Sequence, residues 1–155
     1  MKYSLIVLMI LTGFTFSQLR VAMDLNQELE ASFSGISAAV DIEEGISLGY
    51  DHMLTDMFGA GAEYQLDRDD DFSVHSVYGI ASYNLTDAIN GFARVGLNLP
   101  SDSDVDGGLC WSIGAGYAFS EKLGFDALYS SYDMEADGFD MTYTRISLGV
   151  TYSLW

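Results

Sequence analysis

From Ile146 to Leu154 the chain alternates without a break. Ile146, Leu148, Val150, Tyr152 and Leu154 are apolar, while Ser147, Gly149, Thr151 and Ser153 between them are small or polar. A period of two belongs to a β-strand with one greasy and one wet face; a helix would scatter these residues around its surface. The alternation recurs in three stretches of one design: "SLGYDHMLTDMFGAGAEYQL", "GIASYNLTDAINGFARVGLNL" and "SIGAGYAFSEKLGFDALYSSY". Each is a strand, a short turn (Thr55-Asp56, Thr86-Asp87 or Ser120-Glu121) and a second strand. Counting by twos past the turn gives Phe58, Ala60, Ala62, Tyr64; Ile89, Gly91, Ala93, Val95; and Leu123, Phe125, Ala127, Tyr129. The residues between them carry the charges and the small side chains. The chain is a hairpin array in fixed register.

Tiling residues 18–155 on this register predicts eight strands, at about 19–27, 42–53, 57–66, 74–85, 89–99, 109–119, 123–132 and 141–155. Most approach the ~9–11 residues that a tilted strand needs to cross a bilayer. The connectors alternate: short around Thr55, Thr86 and Glu121, longer over 28–41, 67–73, 100–108 and 133–140. An even number of antiparallel strands with turns short at one end and long at the other predicts an all-β fold, an eight-stranded antiparallel up-and-down transmembrane β-barrel.

The formal charge of −17 argues against nucleic acid as a partner, because phosphate binding needs a basic surface. It does not argue against a membrane once the acids are located. Sixteen of the 23 fall in the long connectors or at the start of the second strand, with Asp67, Asp69, Asp70 and Asp71 in one run. The charge is a crown at one end of the barrel, and the apolar band escapes it.

Ahead of the first strand stands "MKYSLIVLMILTGFTFSQ", with Lys2, an apolar run from Leu5 to Leu11, and Thr15 and Ser17 as small residues before a cleavage point. This is the layout of a signal peptide over residues 1–17, too short for a helical membrane span, and it predicts export by the Sec pathway. Residues 18–155 then form one barrel domain. Cys110 is the single cysteine, so no intramolecular disulfide contributes.

Periodicity does not say which face looks outward, and a soluble lipocalin-like binder would point the apolar set inward. Tyr50, Tyr83, Tyr117 and Tyr152 all lie on the apolar face near the short-turn end, the arrangement of an aromatic girdle at a membrane interface. The other face carries small residues such as Gly49, Gly61, Gly114 and Gly149, suited to a narrow lumen. It also carries Arg20, Asp24, Asp51, Glu63, Arg94, Asp126 and Arg145. Both signs of charge on one face predict an ion network within the lumen, where buried charges must be paired.

With its signal peptide, the "YNLTD" turn and its relative "YDHMLTD", the paired hairpins and the terminal "GVTYSLW", the chain resembles the small outer-membrane β-barrel family that includes the OmpA transmembrane domain and OmpX. The resemblance spans residues 18–155 and rests on the joint register of weak motifs. It implies an integral, monomeric protein of a Gram-negative-type outer membrane, in contact with outer-membrane lipid and lipopolysaccharide. It further implies that the terminal strand, through Gly149, Tyr152, Leu154 and Trp155, is the signal read by the barrel-assembly machinery. Trp155 falls one step out of phase with the outward set.

"SDSDVDGG" places Asp102, Asp104 and Asp106 ahead of Gly107, the core of a calcium loop. Ile113 occupies the position where the full motif wants an acid, so these residues are a weak Ca²⁺ candidate within a solvated loop. No other cofactor is expected; weakly bound Ca²⁺ or Mg²⁺ between the crown and lipid phosphates would be the extent of it. Lipid A-modifying enzymes resemble this scaffold in size, but His52 and His75 show no pairing with a nucleophile and an acid of the kind hydrolysis needs. The expectation is a non-enzymatic envelope protein with a structural or surface-interaction role. A narrow porin-like channel for small solutes is the alternative.

Overall fold

The computed structural model describes residues 17–34, 36–66 and 73–154. Residues 1–16 of the expected leader, the acidic run at 67–71 and Trp155 lie outside them. The elements are β1 (Ser17–Phe33), β2 (Ile36–Ile42), β3 (Gly45–Met53), β4 (Phe58–Gln65), β5 (Val74–Asn84), β6 (Ile89–Pro100), β7 (Asp106–Ala118), β8 (Leu123–Ala136) and β9 (Phe139–Ser153). Each of β3 to β9 pairs antiparallel with the next, and β1 pairs with both β3 and β9. Those eight strands close the barrel. β2 continues the line of β3 beyond Glu43 and Glu44 and pairs with β1 from Gln27↔Ile42 to Phe33↔Ile36.

The three short turns are copies of one another, for a chemical reason. Thr55 Oγ1 accepts hydrogen bonds from the N–H groups of Met57 and Phe58; Thr86 Oγ1 does so for Ala88 and Ile89, and Ser120 Oγ for Lys122 and Leu123. A hydroxyl at this position satisfies the two donors that the turn strips from the ladder. The repeated Thr or Ser is a turn cap, and the acid that follows it faces solvent.

The opposite end departs from the sequence expectation. The segment 28–41 is not a long loop: β1 and β2 form a hairpin whose Phe33 and Ile36 are paired across the turn. Nor is 133–140 a loop, because β8 and β9 stay paired up to Ala136↔Phe139. A wall of four strands, β2-β1-β9-β8, therefore rises above the level where β4 ends at Gln65.

Within the lower part of the barrel the apolar residues face out. Leu19, Val21, Met23, Leu48, Val77, Val95, Ile113, Leu148 and Val150 are all exposed, while Arg20, Asp24, Glu63, Arg94 and Arg145 are buried. Above that band the polarity inverts. Tyr132, Met134 and Tyr143 point inward and are buried with Val74 and Cys110, and Leu29, Ile42, Val105 and Met141 pack against them. In β8 and β9 the inversion is written in the sequence. In β1 it is made by a bulge: Asn26 takes a positive φ of 44°, and the register with β9 shifts between Leu25 and Glu28. One extra residue turns the odd-numbered apolar set of β1 from outside to inside. The side chain of Gln27 fills the irregularity, donating to the carbonyls of Asp24 (3.1 Å) and Glu43 (2.6 Å).

Candidate functional site

The lumen is layered. At the short-turn end a cavity of about 380 Å³ opens, with Asp56, Asp87 and Glu121 at its mouth and Asp51, Arg94 and Asp126 at its floor. Above the floor lies the ion network. Arg20 Nε donates to both oxygens of Asp126 (3.0 and 2.8 Å), and its Nη1 donates to Glu63 Oε2 (3.1 Å). Arg94 Nη2 donates to Asp51 Oδ2 (2.6 Å), and its Nη1 stands 3.8 Å from Glu63 Oε2. Arg145 reaches Asp24 Oδ2 through Nη1 (2.9 Å) and Glu63 Oε1 through Nη2. Glu63 is thus shared by three guanidinium groups.

Neutral donors and ring faces complete the shell. Tyr78 donates to Asp51 Oδ1 (2.9 Å), and Ser47 and Ser147 donate to Asp24 Oδ1 (3.2 and 2.6 Å). The Arg94 guanidinium lies 4.7 Å from the Tyr78 ring centre, and that of Arg145 lies 5.1 Å from the Tyr132 ring centre. Such contacts add to ion pairing where water is excluded. One layer higher, Gln65 donates to Tyr143 Oη (3.0 Å) and to Gln27 Oε1 (3.3 Å), and Tyr143 donates to Gln27. The apolar cluster of Val74, Cys110, Tyr132, Met134 and Tyr143 caps the stack.

Glycine makes the network possible. A Cβ on Gly149 would stand 2.4 Å from Asp126 Oδ1 and 2.8 Å from Arg20 Nε, so any side chain there would push the pair apart. Gly149, which the family resemblance implies is part of an assembly signal, sits in β9 between Ala22 and Asp126. Of its companions, Tyr152 faces out and the N–H of Leu154 donates to the Ser17 carbonyl (2.9 Å).

All six residues read as a lumen network (Arg20, Asp24, Glu63, Arg94, Asp126 and Arg145) meet in one cluster, and Asp51 joins them. Tyr50, Tyr83, Tyr117 and Tyr152 are exposed on the outer surface near the short turns. The sequence reading missed a second outward set, Tyr64, Trp111 and Tyr129, with the last two rings 5.7 Å apart. Its signal was present: each stands six residues along the strand from Phe58, Tyr117 or Leu123 at a short turn.

The calcium candidates do not gather. Asp102 Oδ1 accepts from the Asp104 N–H (3.0 Å), and Asp106 opens β7 opposite Glu135. Among the described residues, no three His, Cys, Asp or Glu side chains are grouped to hold a metal ion. The histidines lie on the outer surface: His52 Nδ1 is 2.8 Å from Ser17 Oγ, which also accepts from Tyr50, and His75 stacks on Tyr64 at 4.2 Å.

Comparison with known proteins agrees with this architecture. The family described as "Outer membrane protein beta-barrel domain" matches residues 12–153. No curated protein matches the chain. Among solved structures, the attachment invasion locus protein Ail of Yersinia pestis, in complex with the heparin analogue sucrose octasulfate, superposes with a TM-score of 0.60 at 12% identity, covering 90% of this chain and 99% of Ail. Neisserial surface protein A gives 0.57 at 20% identity, covering 89% and 96%. OprG of Pseudomonas aeruginosa gives 0.57 at 11% identity, covering 92% and 96%. At these identities the likeness is one of fold.

Proposed function

Because this chain belongs to the outer membrane protein beta-barrel domain family and is thereby a protein of the bacterial outer membrane, we propose that it is a non-enzymatic, monomeric barrel with a structural and surface-interaction role in the envelope. One observation carries this reading: its lumen is occupied by paired ions under an apolar cap. Arg20, Arg145, Tyr143, Gln27, Gln65, Val74, Asn98 and Asp24 are each less than 2% exposed. Side chains stacked this way leave the barrel a strut rather than a conduit, which speaks against the narrow porin-like channel. Every lumen carboxylate of the network is engaged by arginine, which leaves none of them free for acid–base chemistry.

The acidic rim is then the surface offered to the exterior. Lipopolysaccharide phosphates and the rim are both negative, so contact between them requires Ca²⁺ or Mg²⁺ shared with the lipid rather than a site made by the protein alone. Export by the Sec pathway through residues 1–17 and insertion by the barrel-assembly machinery through the final strand belong to the same proposal. Thiol labelling tests the orientation. In a Cys110→Ser background, Asp102→Cys at the rim should react with a membrane-impermeant maleimide on intact cells. Asp87→Cys at a short turn should react only after lysis. The opposite pattern would reverse the reading.

A further inference from the structure

The outer wall of the barrel is uneven. Over β1, β3 and β9 it presents Leu19, Val21, Met23, Leu48, Leu148 and Val150, large side chains that all stand exposed. Over β5 and β6 it drops to Gly79, Ala81, Gly91 and Ala93, which lie on the outward sets of their strands, with Ala81 paired to Ala93. The lumen glycines are compelled by crowding: a Cβ on Gly61, Gly114 or Gly149 would come within 2.3, 2.6 or 2.4 Å of a neighbour. Gly79 and Gly91 differ. A Cβ on either would meet nothing closer than 3.9 Å, so no contact within the protein asks for glycine there.

This low stretch belongs to a groove of about 440 Å³ in the outer wall. Ala81, Gly91 and Ala93 lie along it, and Phe58, Tyr83, Leu85 and Ile113, all exposed, rise around them. Its lower end reaches Met57 and Leu85 at two short turns. Asp56 immediately precedes Met57 and Asp87 follows Leu85 by two residues, and both acids are exposed. Tyr83 belongs to the aromatic set near the short turns, and such a set marks the headgroup level of a bilayer. The groove thus passes from hydrocarbon depth to headgroup depth and ends beside two carboxylates. Among the described residues the one exposed cation is Lys122, on a different turn, with its ammonium 6.0 Å from the Tyr152 ring centre.

Taking the short turns as the inner-leaflet side, as the proposed function does, we propose that this groove holds one phosphatidylethanolamine molecule of the inner leaflet. One acyl chain lies over Ala81, Gly91 and Ala93, and the ammonium group donates to Asp56 and Asp87. Lipid touches the wall everywhere, but a chain sunk in a hollow gains contacts from its sides as well as from beneath. Charge complementarity selects the headgroup. Phosphatidylglycerol brings no positive charge to the two carboxylates, and the choline headgroup is positive but has no N–H to donate. A second copy of the chain, standing at the same height in the bilayer, would bring its own turn acids to this level, and like charges set together are unfavourable.

The probe is phosphatidylethanolamine carrying a photoactivatable diazirine midway along one acyl chain, a minor component of phosphatidylcholine nanodiscs that hold the refolded full-length protein. Adducts formed on illumination are mapped by peptide mass spectrometry. The expected result is labelling of residues 81–93 and 113 that exceeds labelling of 19–23 and 148–150 by about fivefold. Excess unlabelled phosphatidylethanolamine should abolish the difference, and excess phosphatidylglycerol should not. The Asp56→Asn/Asp87→Asn protein, which keeps the Thr cap of both turns, should bring the groove down to the level of the opposite wall. So should Ala81→Leu/Ala93→Leu, which fills the hollow, with barrel formation of both variants verified by heat-modifiable gel migration. Even labelling around the wall would mean ordinary annular lipid and would overturn the proposal. So would equal competition by phosphatidylglycerol, undiminished labelling of the Asn variant, or cross-links across the groove between two copies. A nanodisc leaves both ends of the barrel in water, so this outcome does not depend on which end faces the exterior. Labelling of Asp87→Cys in cells decides that separately.

Discussion

Glu63 has the most at stake of any residue. Its carboxylate is shared by Arg20, Arg94 and Arg145, all buried. Removing one partner from a buried ionic cluster costs about 3–5 kcal/mol, because the charges left behind stay desolvated. Glu63→Ala should therefore lower the urea midpoint of the vesicle-inserted barrel by an amount equivalent to that range. Glu63→Gln, which keeps the volume and one acceptor, should cost less. An unchanged midpoint for Glu63→Ala would mean that the arginines are held some other way. The membership of this network was legible in the sequence, because Arg20, Glu63, Arg94, Asp126 and Arg145 all fall on the wet face of their strands and charges in a narrow interior need partners. The central place of Glu63 was not. It depends on the heights of β1, β4, β6 and β9 relative to one another, and those follow from the stagger of the closed sheet rather than from any one strand.

Among the elements, β1 shows why the outer end was hard to read. Its apolar residues keep their odd numbers from Leu19 through Leu29, so nothing in the spacing announces that Leu19, Val21 and Met23 face out while Leu29 turns in. The switch is Asn26, a residue type that tolerates positive φ through its short polar side chain. A sequence rule that lets polar, acidic residues end a strand stops at residue 27, and the β1–β2 hairpin is missed. The short turns were legible for the opposite reason: their Thr or Ser caps are local chemistry, repeated three times. Asn26→Gly should leave stability nearly unchanged. Asn26→Val should cost about 1–2 kcal/mol, because a β-branched residue pays the full left-handed penalty. Denaturant titration of the two variants side by side measures the difference. Equal stabilities would show that the bulge does not require the positive φ.

Taken as a whole, the molecule separates its charges by height. The lumen holds three arginines against four carboxylates, Asp24, Asp51, Glu63 and Asp126, and is close to neutral. The wall between the two aromatic sets is apolar, and among the described residues Glu28, Glu30, Asp41, Glu43 and Glu44 stand above it. This division explains how so acidic a chain can live in a bilayer: among the described residues the unpaired acids lie outside the apolar band, and the lipid meets Leu, Val, Ile and Ala. The lipid-facing assignment and the acidic crown could be read from the order of residues. The layering of the lumen, with its short-turn vestibule of about 380 Å³ beneath a plug, needed the closed barrel. On the proposed reading the plugged lumen does not conduct. Single-channel recording of the refolded protein in a planar lipid bilayer should then give a flat baseline with no discrete openings, whereas reproducible, stepwise conductance from verified monomeric barrels would mean an open water path through the lumen.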